Sequence, residues 1–129
     1  MVNLTDLLTK KHKTGGRGPD FYDCLGLSQE ILRRVGRSIP NYEYSEDIEM
    51  EGIHSLIDQG REEAIELERP EPWSIVAIQT VPKFVTHIGI VLDDCRNFIH
   101  ILEKVNVKVD SLNSPYWRTK TRGFYRSVI

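Results

Sequence analysis

Three side chains of this 129-residue sequence have the types that acyl-transfer chemistry uses: Cys24, His87 and His100. A thiol attacks a carbonyl as its thiolate, so it needs a base beside it. That base works best when a third polar group holds its ring. One cysteine and two histidines supply these parts if the fold brings together positions far apart along the chain. Cys24 opens a helical pattern in which positions 24, 27, 28, 31 and 35 form one stripe. Leu27, Ile31 and Val35 make that stripe apolar, with Asp23 as a good N-cap and Gly36 as a good stop. A cysteine in this position points inward, where first-turn N–H groups and the helix dipole favour thiolate over thiol.

The histidines fall on two neighbouring apolar runs, Thr86–Leu92 and Asn97–Glu103, joined by the turn-rich Asp93–Arg96. These read as an antiparallel hairpin. If Leu92 faces Asn97, then His100 faces Gly89, and His87 and His100 become diagonal neighbours on one face, about 7–8 Å apart at the backbone. A slip of one residue would send them to opposite faces. For Cys24 to join them, the helix that it opens is expected to pack on the histidine-bearing face. Two other readings of the same residues stay open. In one, Cys24 is a small buried hydrophobe and His100 a satisfied core histidine. In the other, Cys24, His87 and His100 ligate zinc, with His12 or water as the fourth ligand, although the spacing contains no close ligand pair.

The elements that must position these groups follow from the periodicity. The first 23 residues are polar and punctuated by Gly15-Gly16 and Gly18-Pro19-Asp20, which predicts a loop approach. A helix is expected over Cys24–Val35, then a connector with Pro40, then a second helical stretch from about 46 to 67, with Gly52 and Gly60 as the candidate break points, ending before Pro70 and Pro72. Beyond it the period shortens to strands: Ser74–Thr80, Thr86–Leu92, Asn97–Glu103, Val105–Asp110, and a final edge strand in Gly123–Val128. Helices first and antiparallel strands second make an α+β layout, expected as a single domain over 1–129.

Composition narrows the class. The sequence is 40% hydrophobic and 28% charged, which excludes a disordered or collagen-like chain. No apolar run approaches the roughly 18 residues of a membrane span. No secretory leader is visible at the start, so the protein is expected to be cytoplasmic as synthesised. The 17 basic and 19 acidic side chains are unevenly spread. Residues 43–71 carry eleven acidic and two basic ones, with apolar residues at near-helical spacing, so this stretch reads as the solvated side of a helix and His54 as a surface residue. Residues 96–126 carry seven basic and two acidic side chains, alternating with apolar ones as on the wet face of a sheet, so no nucleic-acid partner is expected. Cys24 and Cys95 read as free thiols.

The segment GGRGPDFYDCLGLSQEILRRVG resembles the nucleophile region of the NlpC-type cell-wall cysteine peptidases, with Asp-Cys-x-Gly at the head of a helix after a Gly-Gly loop. THIGIVLDDCRNFIHI resembles that family's second block, in which His-x-Gly-Ile opens a strand and another histidine follows on the next. DSLNSPYWRTKTRGFYR is similar to the end of its phage-tail-associated branch, and Leu25 suits that branch as well. The three blocks occur in the family's ordinary order and cover roughly residues 12–126.

The resemblance implies a papain-like fold, with Cys24 as nucleophile, His87 as general base and acid, and His100 as the group orienting His87. It implies peptidoglycan stem peptides as substrate, often at the bond between D-γ-glutamate and a diamino acid, and no metal or organic cofactor. Many members have a tyrosine twelve residues before the nucleophile, where this sequence has His12, and a Gly-Asp where this one has Trp73-Ser74. His12, Tyr22 and Asp23 are the expected substrate-binding residues; a mobile loop residue for His12 and aromatic packing for Tyr22 are the alternatives. Phage tail proteins are expected partners, which would make the protein virion-associated. The alternative function is a non-catalytic tail-assembly or tail-tip component that keeps the peptidase fold.

Overall fold

The computed structural model of the chain describes residues 2–128. The helix that begins at the cysteine is α1, Cys24–Arg34. Its start is fixed by Asp23, whose side chain accepts the Gly26 N–H. The apolar stripe does what its spacing predicts: Leu27, Ile31 and Leu32 are buried in one core cluster with Ile90, Ile99, Ile101 and Val107. Each such side chain contributes roughly 1.5–3 kcal/mol when fully buried.

That core also takes Leu7, buried in a 3-10 turn over Thr5–Thr9. The N-terminal segment is therefore more than a loop approach. After the turn, β1 (Lys11–His12) pairs in parallel with β2 (Phe21–Tyr22), and the His12 N–H donates to Asn106 Oδ1 at 3.2 Å. Two-residue strands carry no periodicity, so their pairing shows only in three dimensions.

The second helix, α2, runs over Met50–Glu62, starting later than position 46 and continuing unbroken through Gly52 and Gly60. The expected helix to position 67 stops short because Ile65–Leu67 form a strand, β3, paired with Phe124–Arg126. Near-helical spacing carried the pattern past the true end, and the pairing partner overrode it. The remaining strands are β4 (Ile75–Ile78), β5 (His87–Val91), β6 (Asn97–Leu102), β7 (Asn106–Ser111) and β8 (Thr121–Arg126), with a short helix, α3 (Pro115–Arg118), before the last. Six strands make one antiparallel sheet in the order β3-β8-β4-β5-β6-β7. The C-terminal strand was expected at the edge; it lies between β3 and β4, because β3 supplies the edge.

The sheet has two covered faces. Ile88, Ile90, Ile99 and Ile101 alternate onto one side, where Ile90, Ile99 and Ile101 pack on α1. Val76, Ile78, Val91 and Phe98 pack on the other with Leu112 and Trp117.

Candidate active site

The β5–β6 pairing decides where the histidines go. Ile90 faces Ile99 and Val91 faces Phe98, the register predicted for the hairpin. His87 and His100 therefore share a face, and His87 Nε2 lies 2.7 Å from His100 Nδ1. Gly89 makes this possible. A Cβ there would lie 3.0 Å from the Ile99 carbonyl oxygen and 3.1 Å from His100 Cβ, so a larger residue would crowd the second ring. His100 is fully buried, gripped by Phe98 at 4.4 Å and the edge of Trp117 at 4.9 Å between ring centroids. Its outer nitrogen, Nε2, is 2.8 Å from Asp110 Oδ2.

The helix does not pack on the histidine face. It packs on the isoleucine face, because Leu27, Ile31 and Leu32 need the apolar side of β5 and β6. Cys24 and His87 instead both line one cleft of about 420 Å³ at the start of β5, and the backbone of Ile88, one residue past His87, favours the thiolate form of Cys24. His87 is the first residue of its strand, where groups from opposite faces of the sheet can line one cavity. Ile53, Leu56 and Ile57 of α2 form one apolar wall of that cleft, and Ile75 and Ala77 of β4 form another.

Burial sets the resting charges. It pushes the Cys24 thiol up to about 11, and the Asp23 carboxylate beside it adds to the rise, against the Ile88 and Leu25 N–H groups and Arg17. The thiolate expected from the helix start is therefore not the resting form. His87 is pushed down to about 3, first by burial and then by His100 and His12. Burial also lowers His100, while Asp110 pulls it back upward. The resting pair is a neutral thiol and a neutral imidazole. Such a pair can transfer one proton as the sulfur attacks a carbonyl.

The sequence matches the NlpC/P60 family over residues 9–126. The chain belongs to the NlpC/P60 family. Similar solved structures include an NLP/P60-family protein similar to lipoprotein from Staphylococcus aureus subsp. aureus Mu50, at 22% identity and a TM-score of 0.65 over 98% of this chain and 39% of that one. NlpC2 from Trichomonas vaginalis is 22% identical, with a TM-score of 0.69 over 95% of this chain and 43% of that one. The NlpC/p60 domain of the peptidoglycan hydrolase SagA is 18% identical, with a TM-score of 0.60 over 95% of this chain and 91% of that domain. At these identities the likeness is one of fold, and this chain spans about two-fifths of the length of the first two. No curated protein matches it.

Within Asp23-Cys24-Leu25-Gly26, Asp23 and Gly26 each have a visible physical task. Asp23, 5% exposed, accepts from Gly26 N–H, Gly15 N–H and Arg17 Nη1, each at 2.9 Å, and from the Tyr44 hydroxyl. Arg17 continues to Asn41 Oδ1 and the Tyr42 carbonyl, so one carboxylate ties the Gly-Gly loop, the helix start and the connector together. Gly26 must lack a side chain because a Cβ would collide with the Gly16 carbonyl oxygen. His12 lines the cleft with Cys24 and His87. Tyr22, 3% exposed, is packed in the core and is not among the cleft-lining residues. His54 is no simple surface residue: its Nδ1 accepts the Val85 N–H at 2.8 Å, docking α2 on the loop before β5.

No local motif in the sequence marks Asp110. Its signal was the strand Val105–Asp110: once β7 is paired so that His100 faces Lys108, Asp110 is the diagonal neighbour of His100 on the same face. Among the described residues no group of three or more histidine, cysteine, aspartate or glutamate side chains is arranged to hold a metal ion, and both nitrogens of His100 are engaged by His87 and Asp110. Both cysteines are free thiols.

Proposed function

We propose that the chain is a cysteine peptidase that hydrolyses amide bonds in peptidoglycan stem peptides, with Cys24 as nucleophile, His87 as general base and acid, and His100 as the group that orients His87. The observation carrying this reading is the cleft shared by Cys24 and His87, with His87 Nε2 held 2.7 Å from His100 Nδ1. Because Nε2 is engaged, Nδ1 is the nitrogen left for the thiol. The Cys24 proton moves to His87 Nδ1 as sulfur bonds to the substrate carbonyl carbon. The Cys24 and Leu25 backbone N–H groups at the start of α1, which have no intrahelical acceptor, steady the oxyanion. His87 then gives the proton to the leaving amine, the C–N bond breaks, and a thioester remains. Water, giving its proton to His87, opens the thioester and restores the thiol.

Membership of the NlpC/P60 family supports the reaction class, and the peptidoglycan hydrolase SagA among the similar structures supports the substrate class. The bond we favour is that between D-γ-glutamate and the diamino acid, with delivery by a phage tail, supported by the likeness of the closing segment to the tail-associated branch. Incubation with defined muropeptides, followed by mass spectrometry, tests the reaction. The parent protein is expected to release the two halves of the stem, and Cys24→Ala to release neither while staying folded. Release at the parent rate by the alanine variant would remove Cys24 from the mechanism.

A further inference from the structure

We propose that Asp110 is a positioning residue that selects, through His100, the tautomer of His87 able to accept the thiol proton. The inference rests on His87 acting as base toward Cys24, and it extends the proposed machinery by one residue. A carboxylate only accepts, so the 2.8 Å contact between Asp110 Oδ2 and His100 Nε2 requires the proton of His100 on Nε2. A neutral imidazole carries one proton, so His100 Nδ1 is then bare and must accept. The partner of Nδ1 is His87 Nε2, at 2.7 Å, which must therefore donate. His87 keeps its own single proton on Nε2, and its Nδ1 is left bare for Cys24. Each step leaves one choice, and the first is made by Asp110.

The surroundings reinforce this. His100 is fully buried between Phe98 and Trp117, so its ring is gripped, and a dry setting strengthens the hydrogen bonds along the chain. The second oxygen of Asp110 faces Lys108, with Nζ 3.5 Å from Oδ1. That contact predicts what an amide would do. In Asp110→Asn, Lys108 retains the oxygen, the NH2 turns toward His100 Nε2, and donation there forces the proton of His100 onto Nδ1. His87 must then accept at Nε2 and carry its proton on Nδ1, where it blocks transfer from the thiol.

Nitrogen NMR of the two imidazoles in the full chain at neutral pH tests this without a substrate. Both rings are expected as Nε2–H tautomers in the parent protein and as Nδ1–H tautomers in Asp110→Asn. Alkylation of Cys24 by iodoacetamide, followed on its own peptide so that Cys95 does not contribute, is expected to slow by about tenfold or more in the variant. An Nδ1–H tautomer at either ring of the parent would overturn the proposal even if the variant failed to fold. So would a folded Asp110→Asn protein with parental tautomers and parental alkylation. A parent that shows the expected tautomers and alkylation but cleaves no muropeptide would overturn the peptidase reading and leave the role of Asp110 standing.

Discussion

A thiol at the first turn of a helix meets two opposing influences. The helix end and nearby N–H groups favour its charged form, while removal from water favours the neutral one. At Cys24 removal from water wins and carries the thiol to about 11, with His87 at about 3. At pH 7 the proton therefore sits on sulfur. Iodoacetamide modification of resting Cys24 is expected to keep accelerating above pH 9, as the thiolate fraction grows toward about 11. A plateau reached by pH 7 would instead show an ion pair formed in advance. The types of these residues and the register of the histidine hairpin were legible in the sequence, because both are local properties. Their protonation was not, since desolvation depends on what the rest of the chain stacks over them. Asp110 was hidden for a related reason: its tie to His100 needs the pairing of a third strand.

Elements show where local pattern was sufficient and where it failed. The start of α1 was readable because cap, stripe and stop all lie within a dozen residues. The same cap does more than a cap must, since Asp23 also holds Arg17, Tyr44 and the Gly15 N–H. Asp23→Ala is thus expected to cost more than the ~1 kcal/mol of an ordinary N-cap, about 2 kcal/mol or above, because three further donors lose their acceptor. Urea unfolding of the parent, Asp23→Ala and Asp23→Asn, which keeps a capping oxygen, measures this; a parental midpoint in Asp23→Asn with a loss of only about 1 kcal/mol in Asp23→Ala would show that only the cap matters. The end of α2 was misread because Ile65–Leu67 fit a helical period as well as a strand, and β8, from the far end of the chain, settles the choice. The packing face of α1 likewise differs from the histidine-bearing face that the local pattern predicts. Its apolar stripe demanded the isoleucine side of the sheet, and the cysteine shares a cleft with His87 at the strand end instead.

For the whole molecule, burying neutral histidines links stability to pH. His87 falls from an ordinary value near 6.5 when unfolded to about 3 when folded. Its contribution is therefore complete above pH 6.5 and is lost as pH falls toward 3, because below 6.5 the unfolded chain binds a proton that the folded one refuses. The slope from this group is about 1.4 kcal/mol per pH unit. Denaturant unfolding at pH 7.5, 5.5 and 4.5 is expected to show this decline, and His87→Gln to flatten it. An identical slope in the variant would place the linkage elsewhere. Among the described residues no helix is long and apolar enough to cross a membrane.

What the sequence by itself determined was the alphabet of the site and its nearest geometry. The Asp-Cys-x-Gly helix start, the two-histidine hairpin and its register, and the α+β order all depend on residues close together in the chain. What only the tertiary structure decided was the meeting of distant parts: Leu7 inserted in the core, β3 claimed by β8, Tyr22 withdrawn from the cleft and Asp110 brought to His100. The physical reason is that periodicity records which side of an element avoids water. Which element arrives to cover that side, and how dry it leaves a thiol or an imidazole, is settled when the whole chain packs.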